Sequence, residues 1–207
     1  MKKDKYTEII DNINARNVVL ASQSPRRAQL LKLMGLQFRV CPSNYDEDSI
    51  AISEPERHVQ VLSLAKAREI ANSLEYGLVI GADTIVVLDG EILGKPRDAE
   101  HARDMLSRLS GRTHQVYTGF AIVQQPEGKS VTGFEMTNVH FRMLRSWEIQ
   151  GYINTASPFD KAGAYGIQDQ SAIFADRIDG CFYNVVGFPV SKFYLALLNL
   201  MNLNYEE

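Results

Sequence analysis

Apolar and polar positions change rhythm repeatedly along the chain, and the changes predict alternating helices and strands. Tyr6, Ile9, Ile10 and Ile13 fall at i, i+3, i+4 and i+7, the spacing of one helix face, and residues 14–17 break the pattern. Residues 1–16 therefore read as a helical arm ahead of a body spanning 17–207. Val18-Val19-Leu20-Ala21 reads as a short buried strand, after which Ser24-Pro25 supplies an N-cap and a proline at the first helical position. That helix should run to about Met34 and stop at Gly35. Residues 37–41 suggest a second strand. Ser53 with Glu56 three residues later predicts a capping box opening a long helix through Ala65, Ile70 and Leu74.

Leu78-Val79-Ile80 and then residues 84–88 form apolar strand segments turned by Asp89-Gly90, a strong hairpin signal. Asp98 should cap a helix through Met105 and Leu109 that ends at Gly111. Residues 113–124 and 130–141 are β-rich and separated by Pro126-Glu127-Gly128, which reads as a turn. Residues 146–154 are expected to be helical, 164–167 and 183–186 strand-like, and 189–200 a closing helix with Val190, Phe193, Tyr194 and Leu197 on one face. The mixture of βα alternation and hairpins implies an α/β (mixed α+β) single domain with a mixed sheet flanked by helices, in two lobes.

Composition narrows the function classes. The chain has 207 residues, 45% of them hydrophobic and 23% charged, so it is globular and long enough to bury a sizeable core. A formal charge of −3 argues against a nucleic-acid partner held by a global positive field. Cys41 and Cys181 are too far apart for a CxxC pair and fit a reducing compartment as small apolar residues. The apolar run at 195–201 is interrupted by Asn199 and is far shorter than a membrane span, so no membrane partner and a cytoplasmic location are expected.

Several strings could carry chemistry. Ser22-Gln23-Ser24-Pro25-Arg26-Arg27 stands where a strand gives way to a helix; free N–H groups, the helix dipole and two guanidiniums suit a phosphate. The same residues would also serve as a plain capped helix with solvated arginines. Asp83, in Gly81-Ala82-Asp83-Thr84, is embedded between apolar strand segments and needs a partner or a metal, which makes it a candidate general base or metal ligand. Lys66 lies beside an apolar helical stripe and Lys95 precedes a helix; alone, each reads as a surface lysine with a wetted ammonium. Asp46-Glu47-Asp48 offers oxygen ligands for a hard cation, or a solvated acidic loop. The four histidines lack zinc spacing, and Gly163-Ala164-Tyr165-Gly166-Ile167-Gln168 is neither a dinucleotide fingerprint nor a P-loop.

Taken in order, Leu20-Ala21-Ser22-Gln23-Ser24-Pro25-Arg26-Arg27, Gly81-Ala82-Asp83-Thr84-Ile85-Val86-Val87, Gly94-Lys95-Pro96-Arg97-Asp98, Leu109-Ser110-Gly111-Arg112-Thr113-His114 and Asp160-Lys161-Ala162-Gly163-Ala164-Tyr165-Gly166-Ile167-Gln168 resemble the Maf family of nucleoside triphosphate pyrophosphatases. The resemblance runs from about Val18 to the last helix. It implies cleavage of a nucleoside triphosphate between the α and β phosphates, in a central cleft of an elongated mixed α/β fold that often forms a homodimer. It further implies that Ser22, Arg26, Arg27, Lys66 and Lys95 surround the triphosphate. Glu47 and Asp83 would hold a divalent cation, Mg²⁺ or Mn²⁺, and Asp83 would activate water. Within the family, Pro25-Arg26-Arg27, Asp83-Thr84 and the 164–168 string resemble the dTTP/UTP branch more than the 7-methyl-GTP branch, which assigns Arg26, Thr84 and Gln168 to base selection. A glutamine amide can match the N3–H and O4 edge shared by uracil and thymine.

Two positions depart from the family pattern. Asp169-Gln170-Ser171-Ala172 replaces a glycine-bearing turn, and Gly180-Cys181-Phe182 stands where Gly-x-Tyr is common. A non-catalytic regulator of septum formation and a nucleic-acid module are the competing classes. The second is disfavoured by the charge balance and the lack of a basic stripe interleaved with aromatics.

Overall fold

The computed structural model describes residues 4–47, 53–155 and 157–203. Among the described residues, helices α1 (Lys5–Asn14), α2 (Pro25–Leu33), α3 (Pro55–Ala71), α4 (Ala99–Leu109), α5 (Ser146–Ile153), α6 (Phe182–Val186) and α7 (Val190–Leu200) are interspersed with seven strands. The strands are β1 (Val18–Leu20), β2 (Arg39–Val40), β3 (Gly77–Leu88), β4 (Glu91–Leu93), β5 (Thr113–Gln125), β6 (Lys129–Phe141) and β7 (Ala175–Asp179). They form one mixed sheet in the order β2-β1-β3-β5-β6-β7, with β4 also on β3. The fold is mixed α/β, as expected.

The residues fall into two compact units. The first comprises residues 1–83, 119–134 and 187–207, and the second 84–118 and 135–186. In the first, β1 pairs in parallel with β2 and with β3. Every residue of β1 and nearly every residue of β3 is buried, the continuous apolar run expected of strands covered on both faces. Val59, Leu62, Ala67 and Ile70 recur at helical spacing on α3, and Ala67, Ile70 and Ala71 pack with Val19, Ala21, Val79, Ala121 and Val123. Helix α1 belongs to this unit. Ile9, Ile10 and Ile13 are buried, whereas Tyr6 is 55% exposed and uses its hydroxyl to bond the Met34 carbonyl at 3.1 Å. The three isoleucines are each worth roughly 1.5–3 kcal/mol of apolar burial, so the arm is anchored by them and not by the Tyr6 ring.

The second unit is built on hairpins and on helices packed over them. Leu88 opposes Glu91 across the Asp89-Gly90 turn, where φ is +53° and +82°, the left-handed pair that this dipeptide supplies. Asp98 caps α4 by accepting from the His101 N–H at 2.8 Å. Leu106 and Leu109 of that helix join Val86, Val116, Phe141, Tyr152, Tyr165 and Phe174 in one apolar cluster.

Three local expectations are corrected. The long helix begins at Pro55, with Glu54 at the N-cap and no side-chain cap bond, so the proline at the first helical position sets the start and not a Ser53 capping box. Residues 164–167 are not a strand: Ala162–Ala164 forms a 3₁₀ turn. Residues 183–186 lie in α6, because a short apolar run does not distinguish strand from helix. The strand in this region is β7, whose Ala-Asp-Arg-Ile-Asp sequence carries charge because, among the described residues, it is a sheet edge paired only with β6. Among the described residues, no helix is long and apolar enough to cross a membrane.

Candidate active site

Ligands of α/β sheets collect at the carboxyl ends of parallel strands, and in the first unit those ends belong to β1, β2 and β3. Ser22 follows β1 and is buried, its hydroxyl accepting from the Ser24 N–H at 3.2 Å and from Arg27 Nη1 at 3.1 Å. Ser24 caps α2 as expected, its side chain accepting from the Arg27 N–H. The Arg27 Nε donates to the Gly187 carbonyl at 3.1 Å, so the guanidinium is held from two sides. Burial draws the Arg27 pKa below the usual arginine value; the Asp83 carboxylate opposes that effect and the neighbouring Arg26 adds to it. Both arginines are half-buried on the first turn of α2.

Asp83 is reached from α3 because that helix lies close on β3. A Cβ at Gly81 would stand 2.2 Å from the Ser63 carbonyl oxygen, so only glycine admits this approach. One turn further along the same face, Lys66 extends to the strand. Its Nζ lies 2.7 Å from Asp83 Oδ1 and 2.8 Å from Glu47 Oε1. The Lys66 and Asp83 side chains are 10% and 8% exposed and that of Glu47 is 47% exposed. The lysine on the apolar stripe thus ends on two carboxylates and not in bulk water. A buried lysine and aspartate are tolerable because each neutralises the other, and removing one partner from such a pair costs about 3–5 kcal/mol.

The donor set also suits a divalent cation. Two carboxylates already converge on one positive group, and Mg²⁺ characteristically takes one or two carboxylates and completes its shell with water and phosphate oxygens. Glu47 and Asp83 would hold it. Among the described residues no group of three or more His, Cys, Asp or Glu side chains is placed to hold a metal, and Asp48 lies outside the described residues.

Thr84, Lys95 and Gln168 belong to the second unit. Thr84 follows Asp83 on β3, and its hydroxyl is 3.0 Å from that of Thr118. Lys95 is exposed beyond β4, in a loop whose Gly94 carbonyl accepts from the Gly163 N–H at 3.0 Å. Gln168 is exposed and is followed by a firmly tied residue. Asp169 accepts from Tyr152 Oη at 3.0 Å, Ser157 Oγ at 2.8 Å and the Ser171 N–H at 2.9 Å, with Lys161 Nζ at 3.4 Å. Burial pushes the Tyr152 phenol up to about 12, which keeps it a donor in this set. Asp169 has φ −115° and ψ −160°, an extended backbone that requires no glycine. The departure from a glycine-bearing turn is therefore met by a carboxylate-anchored one.

The sequence reading missed Thr118, Thr137 and Asn184, which are fully buried and polar. Their one signal was a threonine or asparagine inside an otherwise apolar strand or helix. It also missed the Gly187 carbonyl that aims Arg27.

A sequence model of the family described as Maf-like protein matches residues 17–200. The chain belongs to the Maf family. Curated Maf relatives named dTTP/UTP pyrophosphatase include one from Carboxydothermus hydrogenoformans, 44% identical over 180 residues that cover 87% of this chain and 96% of that one. Another, from Citrifermentans bemidjiense, is 48% identical over 181 residues, covering 87% and 94%. A third, from Syntrophotalea carbinolica, is 51% identical over 177 residues, covering 84% and 80%. The Maf match begins at Asn17, beyond the last residue of α1.

Proposed function

We propose that this Maf protein hydrolyses dTTP and UTP to the monophosphate and pyrophosphate, with Asp83 as the base that activates water. The observation carrying the reading is the Lys66 nitrogen bridging Asp83 and Glu47, in the unit where Ser22 orients Arg27. A triphosphate brings about four negative charges, and phosphoryl transfer asks the protein mainly for positioning and charge stabilisation. Cations answer that need. Ser22, Arg26, Arg27, Lys66 and Lys95 are assigned to the phosphates. Asp83 takes a proton as water attacks the α phosphorus; the bond to the α–β bridging oxygen breaks, and that oxygen leaves on pyrophosphate. Glu47 and Asp83 would hold Mg²⁺ or Mn²⁺, which when bound would supply charge neutralisation for the phosphate oxygens. Arg26, Thr84 and Gln168 are assigned to the base.

Pyrophosphate release measured with Mg²⁺ or Mn²⁺ across dTTP, UTP, CTP, GTP and 7-methyl-GTP tests this. The expected result is preference for dTTP and UTP, reduced on the order of 10-fold by Gln168→Ala, since an unmatched polar edge costs about 1–3 kcal/mol. A Gln168→Ala variant with the parent's full preference removes that residue from base selection. Preference for 7-methyl-GTP moves the chain to that branch, and a folded parent inert on every nucleotide supports the septum-regulator reading instead.

A further inference from the structure

We propose that Thr118, held by Asn184, orients the Thr84 hydroxyl so that it meets the nucleobase as an acceptor only, and that this polarity sets uracil and thymine apart from cytosine. The inference rests on the assignment of Thr84 to base selection and adds to it two buried positioning residues.

The proton directions can be followed atom by atom. Asn184 is fully buried, and its side-chain nitrogen donates to the Val116 carbonyl and to Thr137 Oγ1, both at 2.9 Å. Reversing the amide would set its oxygen against the Val116 carbonyl oxygen, so the orientation is forced. Thr137 is held in turn, accepting from the Cys181 N–H at 3.1 Å and donating to the Cys181 carbonyl at 3.2 Å. The backbone carbonyl of the fixed Asn184 lies 3.0 Å from Thr118 Oγ1. A carbonyl oxygen only accepts, so the single hydroxyl proton of Thr118 goes there.

Thr118 Oγ1 also lies 3.0 Å from Thr84 Oγ1. With its own proton committed, Thr118 accepts in that contact and Thr84 donates. Any further partner of the Thr84 oxygen must then be a donor. Uracil and thymine differ from cytosine at N3 and at the exocyclic group on C4, and N3 is the atom assigned to the Thr84 oxygen: uracil and thymine present N3–H there, whereas cytosine presents a bare lone pair. An oxygen showing only lone pairs accepts from the first, sharing it with the Gln168 amide oxygen, and opposes the second.

The test compares kcat/KM for UTP and CTP in the purified full chain with Mg²⁺, together with a melting curve for each variant. Thr118→Val has nearly the same shape and cannot accept from Thr84, so that contact no longer fixes the direction of the Thr84 proton. The UTP/CTP ratio should fall about 10-fold, with kcat on UTP changed less than about threefold, while Thr118→Ser restores the parent ratio. Thr118→Ala carries the same expectation should the valine variant not fold. A parent ratio retained in Thr118→Val or Thr118→Ala, while Thr84→Val abolishes discrimination, overturns the polarity inference and leaves Thr84 at the base. A parent ratio retained in Thr84→Val overturns both, because Thr84 then does not read the base.

Discussion

Asp83→Asn is expected to lower pyrophosphate release from dTTP and UTP by about 100- to 10,000-fold, the range that a positioned general base contributes. The substitution keeps the side chain's shape and an oxygen that can accept from Lys66, but the amide does not take up a proton under working conditions. Lys66 retains Glu47 at 2.8 Å, so the ammonium is not left without an anion and the fold should persist, which circular dichroism would check. The loss should fall mainly on kcat, because the proton is transferred in the transition state and not on binding. Activity within a few-fold of the parent in a folded Asp83→Asn protein would remove Asp83 from the base role.

The second large effect is on stability in mild acid. His114 is buried, with Nε2 2.7 Å from Tyr165 Oη and its ring edge-on to Phe141 at 4.9 Å. Among the described residues Nδ1 has no hydrogen-bond partner, so a protonated ring would place an N–H there with none of them to receive it. Burial accordingly lowers the pKa from 6.5 to about 3, with His140 adding a smaller push. The neutral form is the one the fold accepts. As pH falls below 6.5 the unfolded chain takes up a proton that the folded chain refuses, so stability is lost progressively down to about pH 3 and is unaffected above 6.5. The slope from this one group approaches about 1.4 kcal/mol per pH unit once pH is well below 6.5. Denaturant unfolding of the parent and His114→Phe at pH 7.5, 6.0 and 5.0 should show a shallower decline in the variant, even if losing the Tyr165 contact makes it less stable at pH 7.5. Parallel declines in the two proteins would contradict the account.

Local chemistry was the legible part of this chain. Ser24-Pro25, Asp89-Gly90 and Asp98 each specify a cap or turn through their own backbone and side-chain preferences, and each sits where its residues predict. Helix α6 and strand β7 were not legible because tertiary context decides them. Tyr183, Val185 and Val186 suit either state, and Asn184 is drawn inward by bonds to Val116 and Thr137 on the sheet. Asp176 and Arg177 disguise an edge strand as a loop.

The candidate site divides the same way. A phosphate-binding helix start could be read at Ser22 to Arg27, and an aspartate inside an apolar strand marked Asp83. Nothing in the spacing joined Glu47, Lys66 and Asp83, which come from a loop, a helix and a strand. Their meeting depends on the packing of α3 against Gly81. The family resemblance was the only route to that grouping from sequence. Hydroxyl directions such as those of Thr84 and Thr118 belong to a network that only folded geometry defines.

Hydrolysis of UTP in ¹⁸O-labelled water, with products resolved by mass spectrometry, tests the central claim most directly. Water attack at the α phosphorus predicts one labelled oxygen in UMP and none in the released pyrophosphate. Label in pyrophosphate, or UDP with labelled inorganic phosphate, would place the attack elsewhere and contradict the assignment.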